Sequence, residues 1–435
     1  MMKQSKKTSE DETKLAEETL ALVLAGGRGS RLYELTDNRA KPAVYFGGNR
    51  RIIDFALSNC VNSNILKIGV VTQYAAHSLL RHLQRGWSFL PYERNQYIDM
   101  LPARQQIDEH TWYRGTADSV YQNMRIMKSH YRCKYVLILA GDHIYKMDYR
   151  KMLADHSMTG AKCTVACIEV PKQEAGEFGI MDVNDQLNVV GFVEKPKDPP
   201  TIPGRPNYSL ASMGIYVFNA DYLYEILEKE ATSTDTDHDF GKNIIPKAVQ
   251  DGVVYAHPFE RSCRGRTHDG LVYWRDVGTL DAYWGAHMDL CSEHPQLNLY
   301  DESWLILGRP QQTWPTRFFY KTPRDRTLDN SLVSGGSVIE DAEISHSVIF
   351  PRCKIKENSV IESTVMLPDC FVGKNCVIRN AILDRYCEVP DGLQIGVNAE
   401  FDQAHFRVSK QGIVLVNQAM LENITAERNA HSGEE

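Results

Sequence analysis

A period of seventeen residues in the last quarter of the sequence constrains the fold more than any other feature. A repeat this short cannot enclose a core by itself, so successive turns must stack and bury one continuous apolar stripe. The pattern predicts a parallel β-helix with about three six-residue faces per turn. Four apolar columns keep this phase: Leu332, Ile349, Met366 and Leu383; Ile344, Ile361, Ile378 and Ile395; Val338, Ile355, Val372 and Val389; and Val348, Val365 and Ile382.

A β-sandwich of short strands is the alternative for this segment, but sandwiches do not need a constant period. The repeat follows a stretch rich in proline and arginine, "LGRPQQTWPTRFFYKTPRDRTLDN", which indicates a linker. We predict a first domain over residues 17–300, a linker over 301–330, a β-helix over 331–421 and a tail over 422–435.

The first domain alternates strand-like and helix-like segments. Apolar runs such as "ALVLA", "KIGVVTQ" and "KYVLILA" are separated by amphipathic stretches, in one of which Val120, Met124 and Met127 share a helix face. This alternation predicts an α/β domain with a mostly parallel sheet covered by helices. Sheets of this kind bind ligands at the carboxyl ends of their strands.

Composition restricts the partners. With 435 residues, of which 43% are hydrophobic, the chain is long enough for two domains with cores of their own. A net charge of −7 argues against nucleic acid as a partner, so any anion site must be local. No apolar run is long enough to span a bilayer, the N-terminus has no apolar segment typical of a leader, and the ten cysteines lack paired spacing. We therefore expect a cytoplasmic protein with reduced thiols and no membrane partner.

A glycine- and arginine-rich loop follows the first strand. In "LAGGRGSRL", Gly26 and Gly27 allow backbone N–H groups to approach an oxyanion, and Arg31 supplies a planar fork of donors. The alternative is a tight strand-to-helix turn with surface arginines. Further cations in "NRAKPAVYFGGNRR" favour a phosphate site, because a domain of this charge has little other use for them: Arg39, Lys41, Arg50 and Arg51.

Two carboxylates are placed to hold a metal ion. Asp142 ends the apolar run of "VLILAGDHIY", and Asp276 stands in "YWRDVGTLDAYW". Carboxylate oxygens beside a phosphate loop are the ligands that Mg²⁺ prefers, although each aspartate alone is more often a turn residue or a helix cap. His143 is left outside the metal set, because a single histidine beside an aspartate is usually an ordinary hydrogen-bonded residue.

Two other elements give weaker signals. Glu194 and Lys195 end another apolar run in "GFVEKPKDPP" and suit a sugar hydroxyl and a phosphate, the alternative being a surface ion pair without function. The segment "HDFGK", from His238 to Lys242, contains a kinase-like Asp-Phe-Gly, but the other kinase motifs are missing. We interpret it as a loop.

Together these motifs resemble one family. In order, "LAGGRGSRL", "RAKPAVYFGG", "WYRGTADSV", "LAGDHIYKMDY", "FVEKP", "SMGIYVF" and "YWRDVGT", followed by a β-helix, are similar to the bacterial ADP-glucose pyrophosphorylases, or glucose-1-phosphate adenylyltransferases. The resemblance implies a Rossmann-like nucleotidyltransferase sheet with a C-terminal left-handed parallel β-helix. It also implies that ATP and glucose 1-phosphate give ADP-glucose and diphosphate with Mg²⁺, in an allosterically regulated homotetramer that commits carbon to glycogen.

The resemblance also implies site residues. Arg31, Lys41 and Asp142 would be catalytic, and Asp142 and Asp276 would hold Mg²⁺. Gly26, Gly27, Arg31 and Lys41 would bind the triphosphate, with Gln73, Gly115 and Thr116 around the adenine and ribose. Tyr113, Gly179, Glu194, Lys195 and Ser212 would bind glucose 1-phosphate.

The sequence departs from the family where activators bind. Members activated by fructose 1,6-bisphosphate carry a lysine where this chain has Asn38, and a basic C-terminal helix where it has Gln418 and Glu422. Arg39, Arg51 and Arg385 remain candidate effector contacts. The alternatives left open are a pyrophosphorylase for another nucleotide or sugar 1-phosphate, a non-catalytic regulatory subunit, and a β-helix acyltransferase that carries a nucleotidyltransferase domain.

Overall fold

A nine-stranded sheet forms the centre of the N-terminal part of the chain in the computed structural model. The structure describes residues 11–26, 29–72, 76–102, 113–320 and 328–432. In chain order, the strands of this part are β1 Thr19–Ala25, β2 Tyr45–Phe46, β3 Arg50–Arg51, β4 Lys67–Thr72, β5 Tyr97–Pro102, β6 Tyr135–Ala140, β7 His143–Tyr145, β8 Cys163–Pro171, β9 Gly179–Val183, β10 Val189–Glu194, β11 Tyr208–Asn219, β12 Val254–Pro258 and β13 Trp274–Asp276.

The sheet has a parallel core and an antiparallel extension. Strands β5, β4, β1 and β6 are neighbours and run parallel, and β11 joins β6 in the opposite direction. Leu24 pairs with Ala140, so β1 and β6 end at the same edge of the sheet. The predicted α/β fold is confirmed, and its ligand-binding edge is the one where the loops after β1 and β6 meet.

Helices cover both faces of the sheet. Alternate residues of β1 point to opposite faces, so Leu22 packs in a cluster with Val120 while Val23 packs in another with Ile53. The predicted helix face of Val120, Met124 and Met127 is buried, as expected. The labelled α-helices are α1 Ile53–Asn62, α2 Ala76–Gly86, α3 Thr116–Ile126, α4 Tyr149–Thr159, α5 Ala220–Ala231, α6 Ile245–Gln250, α7 Leu280–Leu290, α8 Ala399–His405 and α9 Gln418–Ser432.

Shorter helical turns connect these elements. Residues 11–17 are also helical. Turns of 3₁₀ helix cover Ser30–Thr36, Lys41–Ala43, Tyr92–Arg94, Ala175–Glu177, Phe259–Arg261 and Glu302–Trp304, and π-helical turns cover Met127–Tyr131 and Phe240–Ile244. Within the described ranges, every helix is too short or too polar to cross a bilayer.

The C-terminal part is the predicted β-helix, built from three stacks of short parallel strands. Several of its corners carry asparagine or aspartate in the left-handed backbone region, as at Asn358 and Asn375, where these residues are tolerated. The strands are β14 Arg317–Phe319, β15 Leu328–Asp329, β16 Leu332–Val333, β17 Val338–Glu340, β18 Glu343–Ser345, β19 Val348–Ile349, β20 Lys354–Ile355, β21 Val360–Glu362, β22 Val365–Met366, β23 Phe371–Val372, β24 Val377–Arg379, β25 Ala381–Leu383, β26 Glu388–Val389, β27 Gln394–Ile395, β28 Arg407–Val408 and β29 Val414–Val416.

The predicted register is right for most of the β-helix and wrong at its first turn. Ile344, Ile361, Ile378 and Ile395 pair in one column, as predicted. Val338, however, pairs with Lys354, and the apolar partner of Ile355 is Ile339. Leu332 likewise pairs with Val348 instead of Ile349. The physical reason is the corner after β17: one residue separates Ile339 from the left-handed Asp341, whereas two residues separate its partner Ile355 from the left-handed Asn358 at the next corner.

The two parts share a core and several polar contacts. One apolar cluster contains Phe46 and Val44 from the first part and Phe350 and Val365 from the β-helix. The guanidinium of Arg39 donates two hydrogen bonds to Asp384, at 2.7 and 3.0 Å. The indole of Trp284 donates to the carbonyl oxygen of Ser363, and Arg407 pairs with Glu34. The β-helix is therefore attached directly to the segment that follows the glycine-rich loop.

The Arg39–Asp384 pair should contribute measurably to stability. Both side chains are about one-tenth exposed, so Arg39→Lys, which retains the charge but loses the two-pronged geometry, should lower the free energy of unfolding by about 1.5 kcal/mol. Urea denaturation measures this change. Arg407→Lys is the matched control, because that pair is more exposed and should cost less than about 1 kcal/mol. Equal changes in the two variants would contradict the expectation.

Candidate active site

The candidate site lies where β1 and β6 end. Gly26 follows β1 directly, and Asp142 comes two residues after β6. Lys41 enters from the 3₁₀ turn Lys41–Ala43, and Asp276 ends β13, which pairs with β7. The topology thus brings together four predicted site residues that are far apart in the sequence. Gly27, Arg28 and Gln73 lie outside the described residues.

The ammonium group of Lys41 bridges the two predicted metal ligands. Its Nζ lies 2.9 Å from Oδ2 of Asp142 and 2.7 Å from Oδ1 of Asp276. Arg31 lies at the outer side, with Nη2 3.7 Å from Oδ2 of Asp276, and its side chain is 56% exposed. Two carboxylates and two cations therefore meet at one edge of the sheet, with the guanidinium of Arg31 still accessible to a ligand.

Burial and charge act in opposite directions on these groups. Burial of Lys41 lowers its pKa, but the carboxylates of Asp142 and Asp276 outweigh this effect and raise the pKa above its usual value. Burial raises the pKa of Asp142, but the nearby His143 and Lys41 outweigh it and lower that pKa to about 2. At neutral pH the site therefore holds a charged ammonium beside an ionised carboxylate.

His143 belongs to the same cluster. Asp142, His143 and Asp276 each offer one ligand atom, and these atoms lie within 4.8 Å of one another. His143 opposes Asp276 in the pairing of β7 with β13, so the strand geometry forces the proximity. The residues present can thus hold a divalent cation, and the set of candidate ligands is one residue larger than predicted.

A cavity of about 500 Å³ extends from this cluster into the first domain. Its walls come from the loop after β1, the start of α3, the end of β10, the middle of β11 and the π-helical turn. Seven predicted site residues line it: Gly26, Lys41, Tyr113, Gly115, Thr116, Asp142 and Glu194. A cavity of this size suits a small ligand with a few fixed polar contacts.

Of the residues predicted to bind the sugar phosphate, Tyr113 and Glu194 line the cavity, whereas Gly179, Lys195 and Ser212 lie outside its lining. Gly179 pairs with Glu194, and a Cβ at Gly179 would lie 2.5 Å from Cζ of Phe192 and 2.7 Å from Oε2 of Glu194, so a larger residue would require these two side chains to shift. Burial raises the pKa of Glu194, and Lys195 partly offsets this shift. Lys195 is exposed and has φ 48°, a backbone conformation that is costly for a lysine and that is frequent at functional sites. Ser212 is buried beside a register shift in β11.

The start of α3 forms another wall. Gly115 caps this helix, and a Cβ there would lie 2.3 Å from the carbonyl oxygens of Asp237 and His238. The hydroxyl of Thr116 donates to Asp239 at 2.9 Å and accepts from the backbone N–H of Phe240. The phenol of Tyr113 accepts a hydrogen bond from Asn123 at 2.9 Å. These contacts fix the helix start against the segment around residue 239.

That segment was misinterpreted from the sequence. The stretch "HDFGK" is not a simple loop, because Asp239 caps the π-helical turn Phe240–Ile244 by accepting from the backbone N–H of Gly241 and Lys242. Asp239, Phe240 and Gly241 line the cavity, as does Tyr216 from β11. In the sequence, this segment is marked only by an aspartate followed by Phe-Gly. The comparison with kinase motifs led us to interpret it as a loop.

The three predicted effector arginines lie away from the cavity, near the β-helix. Arg39 is held in its ion pair with Asp384. Arg51 and Arg385 meet at one aromatic ring, since their guanidinium carbons lie 4.7 and 5.4 Å from the centre of the Tyr45 ring. Burial and the charge of Arg385 lower the pKa of Arg51. Nothing in the structure tests whether these residues bind an effector, so that role stays a prediction.

Comparisons with known proteins agree with this arrangement. Residues 20–293 match the family described as nucleotidyl transferase, and residues 314–416 match the family described as GlmU-like, C-terminal hexapeptide. A glucose-1-phosphate adenylyltransferase of Pasteurella multocida is 63% identical over 96% of this chain and 95% of its own length. Those of Haemophilus influenzae and Yersinia pseudotuberculosis are 62% and 51% identical, over 94% and 95% of this chain and 93% and 96% of their own lengths. The chain belongs to the glucose-1-phosphate adenylyltransferase family of nucleotidyltransferases.

Proposed function

We propose that this enzyme transfers the adenylyl group of ATP to glucose 1-phosphate, giving ADP-glucose for glycogen synthesis and releasing diphosphate. The observation that carries the proposal is the meeting of Lys41, Asp142 and Asp276 at the mouth of the cavity, with Arg31 accessible beside them. Phosphoryl-type transfer needs mainly positioning and neutralisation of charge, and this cluster supplies both.

The cluster also fits Mg²⁺. A cationic ammonium already lies between the two carboxylates, which shows that the pair accommodates positive charge at that point. Carboxylate oxygens beside substrate phosphates are typical Mg²⁺ ligands. We assign Asp142 and Asp276 to this ion, which when bound would polarise the phosphate oxygens and neutralise the leaving diphosphate.

The chain's own residues complete the chemistry. A phosphate oxygen of glucose 1-phosphate attacks the α-phosphorus of ATP, and the bond from that phosphorus to the bridging oxygen of the diphosphate breaks. The nucleophile is already ionised, so no general base is needed. Lys195 holds the attacking phosphate, Glu194 binds sugar hydroxyls, and Lys41 with Arg31 neutralises the leaving group. The backbone of Gly26 and Gly27 and the residues Gln73, Tyr113, Gly115, Thr116, Gly179 and Ser212 complete the predicted substrate contacts.

A panel of nucleotides and sugar phosphates tests the proposal. Purified enzyme is given ATP, UTP, GTP, CTP or dTTP with the 1-phosphates of glucose, galactose, mannose or N-acetylglucosamine, and diphosphate release is measured. ATP with glucose 1-phosphate should give the highest kcat/KM. A higher value for another pair would replace the substrate assignment, and no release with any pair would indicate a regulatory subunit.

Regulation should differ from that of members activated by fructose 1,6-bisphosphate. Asn38 is exposed and uncharged, and Gln418 on α9 donates a hydrogen bond to Glu422 at 3.2 Å. The effector therefore loses two or three charge-assisted contacts of about 1.5–3 kcal/mol each. Weak or absent activation up to millimolar effector is the expected result of rate measurements. Asn38→Lys should increase the response, whereas strong activation of the unmodified enzyme at micromolar effector would show that other residues bind it.

The assembly and the location are inferred from the resemblance. A homotetramer in the cytoplasm is the expected state, with small-molecule effectors as its regulators. Light scattering of the purified protein tests the assembly, since a mass other than that of four chains would contradict it.

A further inference from the structure

We propose that His238 and Glu230 are positioning residues for nucleotide binding, because their buried pair holds the carbonyl group that fixes the start of α3 in the cavity wall. Neither residue lines the cavity, so both act through other groups. The inference rests on the proposed function, since it takes the start of α3 as part of the nucleotide site. It gives a role to a buried pair that the catalytic cluster does not use.

The side chains of the pair are buried and held on both sides. Nδ1 of His238 lies 2.9 Å from Oε1 and 3.0 Å from Oε2 of Glu230, near the end of α5. An ionised carboxylate only accepts hydrogen bonds, so Nδ1 is the donor. The two side chains are 4% and 11% exposed, so water competes little for the contact. The hydroxyl of Thr236 donates to Oε1 of Glu230 at 2.7 Å and accepts from the backbone N–H of His238 at 3.2 Å.

The pair maintains an unusual backbone conformation at His238. The φ of this residue is 51°, in the left-handed region that residues other than glycine seldom occupy. Such a conformation costs free energy and persists only where the surrounding structure holds it. The contacts of the side chain with Glu230 and of the backbone N–H with Thr236 supply that hold.

This backbone conformation brings a carbonyl group to the start of α3. The carbonyl oxygen of His238 accepts from the backbone N–H of Ala117 at 2.8 Å and from that of Asp118 at 3.3 Å. The first N–H groups of a helix have no partner within the helix, so one oxygen satisfies two of them. The approach is close, because a Cβ at Gly115 would lie 2.3 Å from the same oxygen. A displacement of His238 should therefore shift Gly115 and Thr116 as well.

The contacts around Glu194 are held separately. A Cβ at Gly241 would lie 2.7 Å from Oε2 of Glu194, so this glycine packs against that carboxylate. Gly241 is fixed by Asp239, whose Oδ1 accepts from its backbone N–H at 2.9 Å. That contact involves neither side chain of the pair. Loss of the pair should therefore loosen the start of α3, which we assign to the nucleotide, more than Glu194, which we assign to the sugar phosphate.

Two substitutions of equal size at His238 separate positioning from a purely structural role. Asparagine and aspartate both tolerate the left-handed backbone. Asparagine places an N–H donor where Nδ1 lies, whereas aspartate turns a second carboxylate toward Glu230. His238→Asp should raise the KM for ATP about tenfold, with kcat and the KM for glucose 1-phosphate changing by less than about threefold. His238→Asn should restore the KM for ATP to within about threefold of the unmodified value.

His405→Asp is the matched control for these kinetics. His405 also pairs with a glutamate, Glu427, but in the C-terminal part of the chain, so its substitution should leave all three constants unchanged. Equal rises of both KM values in His238→Asp, or equal KM values for ATP in His238→Asp and His238→Asn, would overturn the proposal.

Hydrogen exchange tests the link to α3 without catalysis. The amides of Ala117 and Asp118 should exchange about fivefold faster or more in His238→Asp than in the unmodified enzyme, and should change little in His238→Asn. Glu230→Ala removes the acceptor from the other side of the pair and should give the same increase. It keeps the proposal testable if His238→Asp fails to fold. Unchanged exchange at both amides in a folded His238→Asp or Glu230→Ala enzyme would overturn the proposal.

Nucleotide binding without the sugar phosphate distinguishes this inference from the proposed function. Calorimetric titration with ATP and Mg²⁺ should give a dissociation constant about tenfold higher for His238→Asp than for the unmodified enzyme. If the substrate panel selects another nucleotide, the proposed function fails, and the same titration with that nucleotide decides the inference. An unchanged constant would overturn the inference even where ATP is the preferred substrate, and an unmodified enzyme that binds no nucleotide would overturn both.

Discussion

Asp142→Asn should lower kcat by about 10³-fold or more, a rise in the barrier of about 4 kcal/mol. The substitution retains the size of the side chain but replaces a hard anionic ligand with a neutral amide. It also removes one of the two carboxylates that contact Lys41 at 2.9 Å, while Asp276 still holds that ammonium at 2.7 Å. The fold should therefore survive, and the loss should fall on the chemical step. Steady-state kinetics with saturating substrates and Mg²⁺ measures it.

Two controls isolate the effect of Asp142. Binding of glucose 1-phosphate, measured by calorimetry, should change little, because we assign that ligand to Glu194 and Lys195. Asp185→Asn removes an exposed carboxylate in the turn between β9 and β10 and should leave kcat unchanged. Near-normal turnover of a folded Asp142→Asn enzyme would remove this residue from the metal site.

The β-helix could be predicted from the sequence because the apolar pattern that specifies each turn is local and is repeated in every turn. Each turn buries the same apolar positions, so the columns through Ile361 and Ile378 could be read from spacing alone. The one-residue error at the first turn arose because Val338 and Ile339 are both apolar, and spacing cannot decide which of them faces the core. The short corner that decides it becomes visible only in the backbone.

The site was predictable only in part, because its contacts join distant segments. Strand ends and charge indicated Lys41, Asp142 and Asp276, since each has a chemically distinctive side chain at a strand or loop boundary. The hydrogen bond from Thr116 to Asp239 joins residues that are 123 positions apart, so no local sequence pattern indicates it. His143 was excluded on its sequence neighbours, although its pairing with Asp276 depends on the register of two strands.

Lys195→Gln should raise the KM for glucose 1-phosphate by about 30- to 150-fold, with the KM for ATP almost unchanged. Glutamine has similar length and can still donate a hydrogen bond, but it loses an ion pair with the phosphate of about 2–3 kcal/mol. We expect Lys195 to hold this phosphate equally in the ground state and the transition state. Loss of its charge should therefore weaken both states alike, which raises KM and leaves kcat nearly unchanged. Steady-state kinetics with each substrate varied in turn separates the two constants.

Comparing kcat and KM of Lys195→Gln with those of Asp142→Asn separates a role in substrate binding from a role in the chemical step. If Lys195 serves binding and Asp142 serves chemistry, kcat should fall much less in Lys195→Gln than in Asp142→Asn. Lys197→Gln is the matched control, because Lys197 is an exposed lysine two residues further along the same segment and should leave both constants unchanged. A rise in the KM for ATP with no change for the sugar phosphate would place Lys195 at the triphosphate instead. Lys195 would then be assigned to the nucleotide, and Glu194 alone of this pair to the sugar phosphate.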